Sequence, residues 1–539
     1  MMITYGLLAG AALGALGLLA WRFSGTATTH GAARWLSLWE TMQAGLFAPR
    51  GVLAGDYAGL LPVYYEDTHA ITFGPAGSGK GVSAILPNLL RASFVFLNDP
   101  GGENAAVAMR GWRKRRAPAY IINPFGMHTE GPWSLPAHGF NPLAILDAGA
   151  SSFAADTLLI AEMLTPRAGN ESGSAAFFKD AGQSAIRAML MHIVSEEPPD
   201  RRHLGTLYGY LNSDAPSWDG LLAAMQANPV CEGLVAKEAN TLARRQEQAP
   251  EEFSAILSTA QQDISWLADP IVRASLRCNE VDFTALKGHG TGQRGGVVAV
   301  VLPLEYNESH AAIPRLALAC ALWTMQRGKL AREKVLFVID EAAALGKVRR
   351  FPNWLATLRK YRAVLWPIFQ NIGQVKALYG ADWQTFIANC GLRQFLSFGD
   401  VETARYVEEL LGKCTIRTQT TNGKGERSVS QAARSLLTAE ELLHLPRTRQ
   451  VTLIGNLKPQ FLLKTPYWER PELRSTFYRN PYHGKTPRLP LGTRWRALKG
   501  RLHYAAAFWL TPHPLAALVY LASLSIAGYV LYSIHGAAS

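Results

Sequence analysis

"ITFGPAGSGKGVSAILPNLL", residues 71–90, places a glycine-rich turn between an apolar strand-like run and an apolar helix-like run. Gly74, four further residues and the pair Gly79-Lys80 match the first seven positions of the P-loop pattern. In that pattern backbone N–H groups wrap nucleotide phosphates at a helix N-terminus, and the lysine adds a positive charge. We therefore predict an ATP site made by Gly74, Pro75, Ala76, Gly77, Ser78, Gly79, Lys80, Gly81 and Val82.

The eighth position of the pattern departs from the usual residue. A Ser or Thr there binds the magnesium ion through its hydroxyl, but this chain has Gly81. Ser78 or Ser83 is a candidate replacement, and water is another because magnesium retains waters readily. The sequence therefore predicts an Mg²⁺ site that is weakened but not disabled.

A second motif follows 260 residues later, in "KVLFVIDE", residues 334–341. This apolar strand-like run ends in two carboxylates. We predict that Asp340 holds magnesium through water and that Glu341 orients and polarises the attacking water. The alternative, a pair that only caps a helix, is disfavoured because a P-loop lies upstream.

Composition is that of a folded protein with an anionic partner. The 539 residues are 48% hydrophobic and 18% charged, with a net charge of +13. Such a basic excess indicates nucleic acid or an acidic membrane face, although it also aids solubility. The five cysteines, none at metal-ligand or redox spacing, indicate reduced thiols in a cytosolic compartment.

Both ends of the chain carry long uncharged apolar segments, residues 3–21 and 514–534. The first would make about 28 Å of helix, close to a bilayer core. A cleaved signal peptide and a buried core helix are the respective alternatives. Basic residues flank each segment on its inner side, which predicts two membrane spans, residues 22–501 in the cytoplasm and both termini outside.

Between these ends, strand-like runs alternate with helical stretches. The runs lie at 69–73, 93–99, 119–123, 296–303, 334–341, 363–370, 392–399 and 450–455. This alternation predicts an α/β fold with a parallel sheet covered on both faces. Residues 151–286 show only helical spacing and predict an inserted all-α subdomain, whereas the polar residues 413–435 predict an exposed loop.

The predicted organisation has six parts. They are an N-terminal anchor (1–24), a first motor part (25–150), the helical insert (151–286), a second motor part (287–470), a basic juxtamembrane linker (471–503) and a C-terminal membrane segment (504–539).

Several further motifs accompany the P-loop stretch in order along the chain: "DPGGE" (99–103), "NPL" (141–143), "VLFVIDEAAALG", "FQNIGQV" and "ANCGLRQFLSFGDVETARYVEELLG" (388–412). Together they resemble the TraG family, the type IV coupling proteins of conjugation and type IV secretion. The resemblance covers roughly residues 50–468. A GKG ending occurs in one branch of this family, so Gly81 resembles a family variant rather than damage.

The resemblance implies an inner-membrane hexamer with a RecA-like motor domain that uses ATP and Mg²⁺. Such proteins receive a relaxase bound to single-stranded DNA, or effector proteins, and pass them to a secretion channel. It also implies that Gln370 senses the γ-phosphate and that Arg359 is an arginine finger for a neighbouring subunit. A solvated basic helix end is the alternative for Arg359.

Two basic clusters are candidates for non-specific contact with DNA phosphates, residues 109–116 and the group Lys347, Arg349 and Arg350. A surface loop or anionic lipid is the alternative for the first cluster. The chain departs from the family at Gly101, where Lys is frequent, and in carrying one N-terminal span instead of two.

Two other functions remain open on sequence alone. One is an FtsK-like DNA translocase, which the helical insert and residues 388–399 disfavour. The other is a nucleotide-binding receptor that does not hydrolyse ATP. Gly81 and Gly101 favour it, whereas four intact site residues disfavour it: Lys80, Asp340, Glu341 and Gln370.

Overall fold

A computed structural model of the chain describes residues 29–59, 61–166, 173–421 and 427–483. They form an eleven-stranded sheet with helices on both faces, and a separate two-stranded hairpin. The strands are β1 (Val52–Tyr57), β2 (Leu61–Tyr65), β3 (His69–Phe73), β4 (Phe94–Pro100), β5 (Ala119–Ile122), β6 (Gly296–Leu302), β7 (Val335–Ile339), β8 (Ala363–Phe369), β9 (Cys390–Phe395), β10 (Lys413–Thr421), β11 (Arg427–Ser435), β12 (Arg449–Ile454) and β13 (Gln460–Leu463).

The large sheet has the order β2-β1-β13-β12-β9-β3-β8-β7-β4-β6-β5. The seven strands from β9 to β5 are parallel. The four strands from β12 to β2 extend the sheet in antiparallel pairing. The predicted α/β fold with a mostly parallel central sheet is therefore confirmed.

The helices cover the sheet and fill the connections between its strands. They are α1 (Leu38–Gln43), α2 (Leu86–Leu89), α3 (Glu103–Lys114), α4 (Phe153–Leu164), α5 (Ser174–Glu196), α6 (Leu204–Leu211), α7 (Ala215–Gln226), α8 (Val230–Gln248), α9 (Pro250–Asp263), α10 (Pro270–Ser275), α11 (Ala312–Gln326), α12 (Phe351–Thr357), α13 (Ile372–Tyr379), α14 (Trp383–Ala388), α15 (Val401–Leu411) and α16 (Ala439–Leu443). A π-helical turn, Lys80–Ile85, leads into α2.

Side chains of the central strands alternate between two hydrophobic cores. On β4, Phe94 and Phe96 pack into one core, whereas Val95 and Leu97 pack into the other. All four are buried, because successive residues of a strand point to opposite faces and both faces carry helices. Continuous apolar runs are the sequence signal of such strands.

The predicted helical insert corresponds to the connection between β5 and β6. Its described residues form helices, the seven from α4 to α10, together with short 3₁₀ turns. Its core joins that of the adjacent sheet face, since Leu190 and Leu207 belong to the same buried cluster as Phe96. The boundaries of the six predicted parts stay predictions.

The structure differs from the sequence prediction at three places. The loop predicted for 413–435 is the hairpin β10–β11, with Lys413 paired to Ser435. Its strands are polar because they join no buried sheet, so they lack the apolar alternation that identifies a strand. Strand β12 is antiparallel, and β1, β2 and β13 had no predicted counterpart.

The two predicted membrane spans, 3–21 and 514–534, lie outside the described residues and stay predictions. Within residues 29–59, 61–166, 173–421 and 427–483, no helix is both long enough and apolar enough to cross a bilayer.

We predict that a buried ion pair at the antiparallel end of the sheet stabilises the fold. Arg470 Nη2 lies 2.6 Å from Asp56 Oδ2, and both side chains are about 5% exposed or less. Arg470→Leu leaves the Asp56 carboxylate buried without its cation, so we expect a loss of about 3–5 kcal/mol in the free energy of unfolding. Thermal and urea unfolding of the purified protein measure it.

The control is Arg474→Leu, because Arg474 is exposed. Adding Asp56→Asn to Arg470→Leu removes the stranded charge and should restore part of the stability. An Arg470→Leu protein as stable as the Arg474→Leu protein contradicts this prediction.

Candidate nucleotide site

Parallel pairing brings four strand ends to one edge of the sheet. Strands β3, β8, β7 and β4 are neighbours, and their carboxyl ends point the same way. The glycine-rich loop follows β3, Gln370 follows β8, and Asp340 and Glu341 follow β7. The edge therefore assembles the predicted cradle and three of the predicted site residues.

The loop 74–81 has the backbone conformation of a phosphate cradle. Gly77 and Gly79 have φ values of 74° and 88°, in the left-handed region that favours glycine. Gly74 N donates to Phe369 O at 2.9 Å, which joins the loop to the end of β8. A Cβ on Gly74 would come within 2.6 Å of Ser78 Oγ, so the tight wrap requires glycine there.

A buried lysine, Lys464, holds the loop 74–81 by a hydrogen bond to its backbone. Lys464 Nζ donates to Ser78 O at 2.9 Å and to Leu396 O at 2.6 Å. Burial lowers the pKa of Lys464 to about 8. Lys464 follows β13, so the antiparallel extension of the sheet holds the cradle in place. No motif in the sequence marks this residue.

The lysine of the loop already contacts the predicted catalytic carboxylate. Lys80 Nζ lies 2.8 Å from Glu341 Oε1, and Gln370 Nε2 donates to Glu341 Oε2 at 3.2 Å. Glu341 has φ 50° and ψ 50°, an unfavourable conformation for a residue with a side chain. Such strain is typical of functional sites, and here it directs the carboxylate toward the cradle.

Asp340 is half-buried beside the loop. Asn98 fixes its backbone from both sides: Asp340 N donates to Asn98 O at 3.2 Å, and Asn98 Nδ2 donates to Asp340 O at 2.9 Å. Burial raises the pKa of Asp340 to about 6, while the nearby Lys80 opposes this shift. A desolvated carboxylate at this position is suited to a cation.

The end of β4 adds a group that the sequence analysis did not assign. Asp99 is fully buried and accepts hydrogen bonds from Ala105 N at 2.7 Å and from Asn104 Nδ2 at 2.8 Å. Burial raises the pKa of Asp99 to about 7. The polar run 98–104 at the end of a buried strand was the available signal, and Asn104 lies directly beyond the quoted "DPGGE".

The residues at this edge fit an Mg²⁺ ion that arrives with a nucleotide. In the part of the chain that the structure describes, no cluster of three or more His, Cys, Asp or Glu side chains is arranged to hold a metal. Magnesium at phosphate sites uses one or two protein ligands and completes its shell with phosphate oxygens and waters. Among the described residues, the oxygens available here include the Asp340 carboxylate and two buried, unpaired atoms, the amide oxygen of Asn104 and Ser78 Oγ.

Arg359 is not part of this assembly within one chain. It lies in a 3₁₀ turn, Leu358–Tyr361, just before β8, and its Nη2 is 3.6 Å from Asp67 Oδ1. Because β8 has seven residues, this turn is about 20 Å from the cradle, at the opposite edge of the sheet. The predicted finger role of Arg359 therefore has no support within a single chain and stays a prediction.

The basic cluster 109–116 makes some internal contacts, although Arg110, Arg113, Lys114 and Arg116 are exposed. Arg115 donates to three carbonyl groups at the end of α2, those of Leu89, Leu90 and Arg91. Arg113 donates to Ser134 O at 2.7 Å, and Trp112 is buried. Contact of this cluster with DNA phosphates stays a prediction.

The second basic cluster, beyond Glu341, connects the site to the helical insert. Arg350 forms an ion pair with Glu162 of α4. Arg315 of α11 donates to Leu345 O at 2.9 Å and to Met163 O at 2.8 Å. The segment after Glu341 is thus attached to α4 by two arginines.

Comparisons with known proteins agree with this architecture. The sequence model of a family described as "Type IV secretory system Conjugative DNA transfer" matches residues 31–487. Protein VirD4 of Rhizobium rhizogenes is 23% identical over 476 residues, which cover 83% of this chain and 67% of that protein. Conjugal transfer protein TraG of Agrobacterium fabrum is 22% identical over 509 residues, which cover 86% and 74%.

Solved structures show the same fold. The bacterial conjugative coupling protein TrwBdeltaN70, in an unbound form, superposes with a TM-score of 0.60 at 16% identity, covering 80% of this chain and 92% of that one. Plasmid coupling protein TrwB in complex with ADP and Mg²⁺ superposes with a TM-score of 0.57 at 16% identity, covering 80% and 93%.

We predict that Lys464 sets the shape of the cradle. Lys464→Met leaves Ser78 O and Leu396 O without a donor in a buried place, so the loop should relax. We expect roughly tenfold weaker nucleotide binding, equivalent to about 1.4 kcal/mol. Titration with a fluorescent ADP measures it, with Lys458→Met, a change at an exposed lysine of the same region, as the control. Equal affinities of the two variants contradict the prediction.

Proposed function

The chain belongs to the type IV secretory system conjugative DNA transfer family, whose coupling proteins link substrate to a secretion system, and we propose that it drives transfer by hydrolysing ATP. The contact of Glu341 with both Lys80 and Gln370, beside the half-buried Asp340, carries this proposal. A receptor that only bound nucleotide would need the cradle and Lys80. It would not need a carboxylate with a strained backbone, Glu341, held by Lys80 and Gln370.

The residues of the site divide the work of phosphoryl transfer. The loop 74–82 binds the phosphates through its backbone N–H groups, and Lys80 places its charge on the β- and γ-phosphates. Glu341 orients and polarises the attacking water, and Gln370 holds Glu341 and senses the γ-phosphate. Asp340 would hold a magnesium ion, through water, and the ion would supply charge neutralisation at the phosphate oxygens.

The Lys80–Glu341 ion pair must separate before the site can act. Both groups are partly exposed, with 11% and 28% of their side-chain surface accessible, so a nucleotide can reach them. A phosphate that takes Lys80 releases the Glu341 carboxylate for water. Nucleotide binding and activation of the catalytic base are therefore the same event in this proposal.

Assembly completes the site. We propose a homo-oligomer, a hexamer as in the TraG family, in which Arg359 of one subunit is the finger for the next. Its exposed position at the opposite sheet edge supports a role in trans. A finger supplied by a neighbour stabilises the transition-state charge and makes hydrolysis depend on the ring.

The partners of the proposed motor follow from the family. They are a relaxase bound to single-stranded DNA, or effector proteins, and the inner-membrane components of a type IV secretion channel. DNA contacts would be non-specific and made to phosphates, consistent with the net charge of +13.

The uncharged segments at 3–21 and 514–534 would anchor the protein in the bacterial inner membrane by two spans. The FtsK-like alternative is not favoured, because the matching family is that of conjugative transfer.

We predict that Glu341→Gln separates binding from hydrolysis. Glutamine keeps the shape of the side chain but cannot polarise the water, so ATP turnover should fall by about 100-fold or more. ATP affinity should be kept. Turnover of the full-length protein, with and without single-stranded DNA, and binding of a fluorescent ATP analogue are the two measurements.

The matched control is Glu333→Gln, at the exposed amino end of the same strand. That variant should retain turnover. If the wild-type protein binds ATP without turning it over, and Glu341→Gln changes nothing, the protein is a non-hydrolysing receptor and the proposal is wrong.

We predict that Arg359 acts between subunits. Arg359→Ala and Lys80→Ala proteins should each be inactive, since each oligomer lacks one half of every site. Mixing the two should restore part of the turnover, because some interfaces then combine an intact Lys80 with an intact neighbouring Arg359. Turnover is measured as a function of the mixing ratio.

Lys360→Ala, the adjacent residue, is the control and should be active alone. A mixture no more active than its components would contradict a finger at Arg359, although hydrolysis by the wild-type protein would stand.

A further inference from the structure

Gly81 stands where a P-loop usually has a Ser or Thr hydroxyl, and it faces the side chain of Asn104, which follows the end of β4. Among the described residues outside the turn that holds Gly81, a Cβ built on Gly81 meets one heavy atom within 4 Å, Asn104 Oδ1 at 3.5 Å. This separation is an ordinary van der Waals contact. The side chain of Asn104 thus fills the space beside Gly81 that a Ser or Thr hydroxyl would enter.

Two carboxylates determine which end of the Asn104 amide faces Gly81. Nδ2 lies 2.8 Å from Asp99 Oδ1 and 3.5 Å from Asp340 Oδ2. Carboxylate oxygens accept hydrogen bonds, so the NH₂ group must point to them and the oxygen must point away. The amide oxygen is therefore directed to the P-loop by its neighbours.

The oxygen so directed has no hydrogen-bond partner within the described parts of the chain, although Asn104 is only 4% exposed. A buried acceptor without a donor is costly, and natural proteins satisfy nearly all of them. Such an atom beside a phosphate cradle indicates a ligand that arrives from outside.

The two serines considered on sequence grounds lie elsewhere. Ser78 Oγ faces the start of the loop, 2.6 Å from the position of a Cβ on Gly74. Ser83 Oγ lies 3.6 Å from the position of a Cβ on Gly79. Neither serine hydroxyl is among the atoms within 4 Å of the Gly81 position.

We propose that Asn104 replaces the P-loop hydroxyl and presents its Oδ1 to the Mg²⁺ ion that accompanies the nucleotide. The amide also donates to Asp340, the proposed metal carboxylate, so one side chain positions both oxygens. Amide carbonyl oxygens are hard ligands of the kind magnesium uses. This inference rests on the nucleotide site of the proposed function.

The test measures how strongly Mg²⁺ and ADP support each other's binding to the full-length protein. The affinity for a fluorescent ADP is determined with Mg²⁺ and with a chelator. The affinity with Mg²⁺ divided by the affinity with the chelator is the metal effect. Asn104→Ala should reduce this ratio roughly tenfold, as expected for loss of a group at a metal. Its affinity for metal-free ADP should be unchanged. If Asn104→Ala does not fold, Asn104→Leu, which keeps the volume, is measured instead.

A smaller metal effect in Asn104→Ala has two explanations, loss of a metal ligand or displacement of Asp340. The substitution Gly81→Ser distinguishes between them. Gly81 has no left-handed φ and has room for a Cβ, so the substitution is tolerated. In the Asn104→Ala background it should restore the metal effect, because it returns the hydroxyl to its usual position. Gly81→Ala is the matched control and should not restore it. Electron paramagnetic resonance of Mn²⁺ with ADP gives a second readout that does not depend on hydrolysis.

The outcomes separate this inference from the proposed function. A normal metal effect in the wild type that persists in Asn104→Ala overturns the role of Asn104 and leaves the motor proposal standing. A lost effect that Gly81→Ala restores as well as Gly81→Ser also overturns it. A wild-type protein that binds no ADP overturns both.

Discussion

Parallel pairing of β3, β8, β7 and β4 is the constraint on which the site depends. Parallel strands end at the same edge, so groups far apart in the sequence meet there without any loop having to span the molecule. Lys80 and Glu341 are 261 residues apart and 2.8 Å distant. The burial of both sheet faces then holds this edge rigid, because every central strand contributes side chains to two cores.

Elements outside the parallel core also stabilise the site. Lys464, at the end of the antiparallel extension, donates to the carbonyl of Ser78 and fixes the cradle. Arg315 and Arg350 attach the segment after Glu341 to α4, the first helix of the insert. The sheet edge that carries the candidate site is therefore joined to the first helix of the insert by polar contacts.

Much of this arrangement was predictable, and the failures have physical causes. The eight predicted strands exist because buried strands must be continuous apolar runs, which the sequence shows directly. The hairpin β10–β11 was missed because exposed paired strands need no such run. Asp99 and Asn104 were missed for another reason. The sequence does not distinguish a buried polar residue from an exposed one, because burial depends on tertiary packing.

The sequence by itself determined the P-loop, its missing hydroxyl, the Asp340–Glu341 pair and the α/β class, since these depend on residue type and local spacing. The tertiary structure decided which side chains share the site. It placed Arg359 at the far edge of the sheet, because a residue before a parallel strand lies a strand's length from those after it. It also brought the amide of Asn104 to the side of Gly81, because β3 and β4 end at the same edge although their residues are not neighbours in the chain.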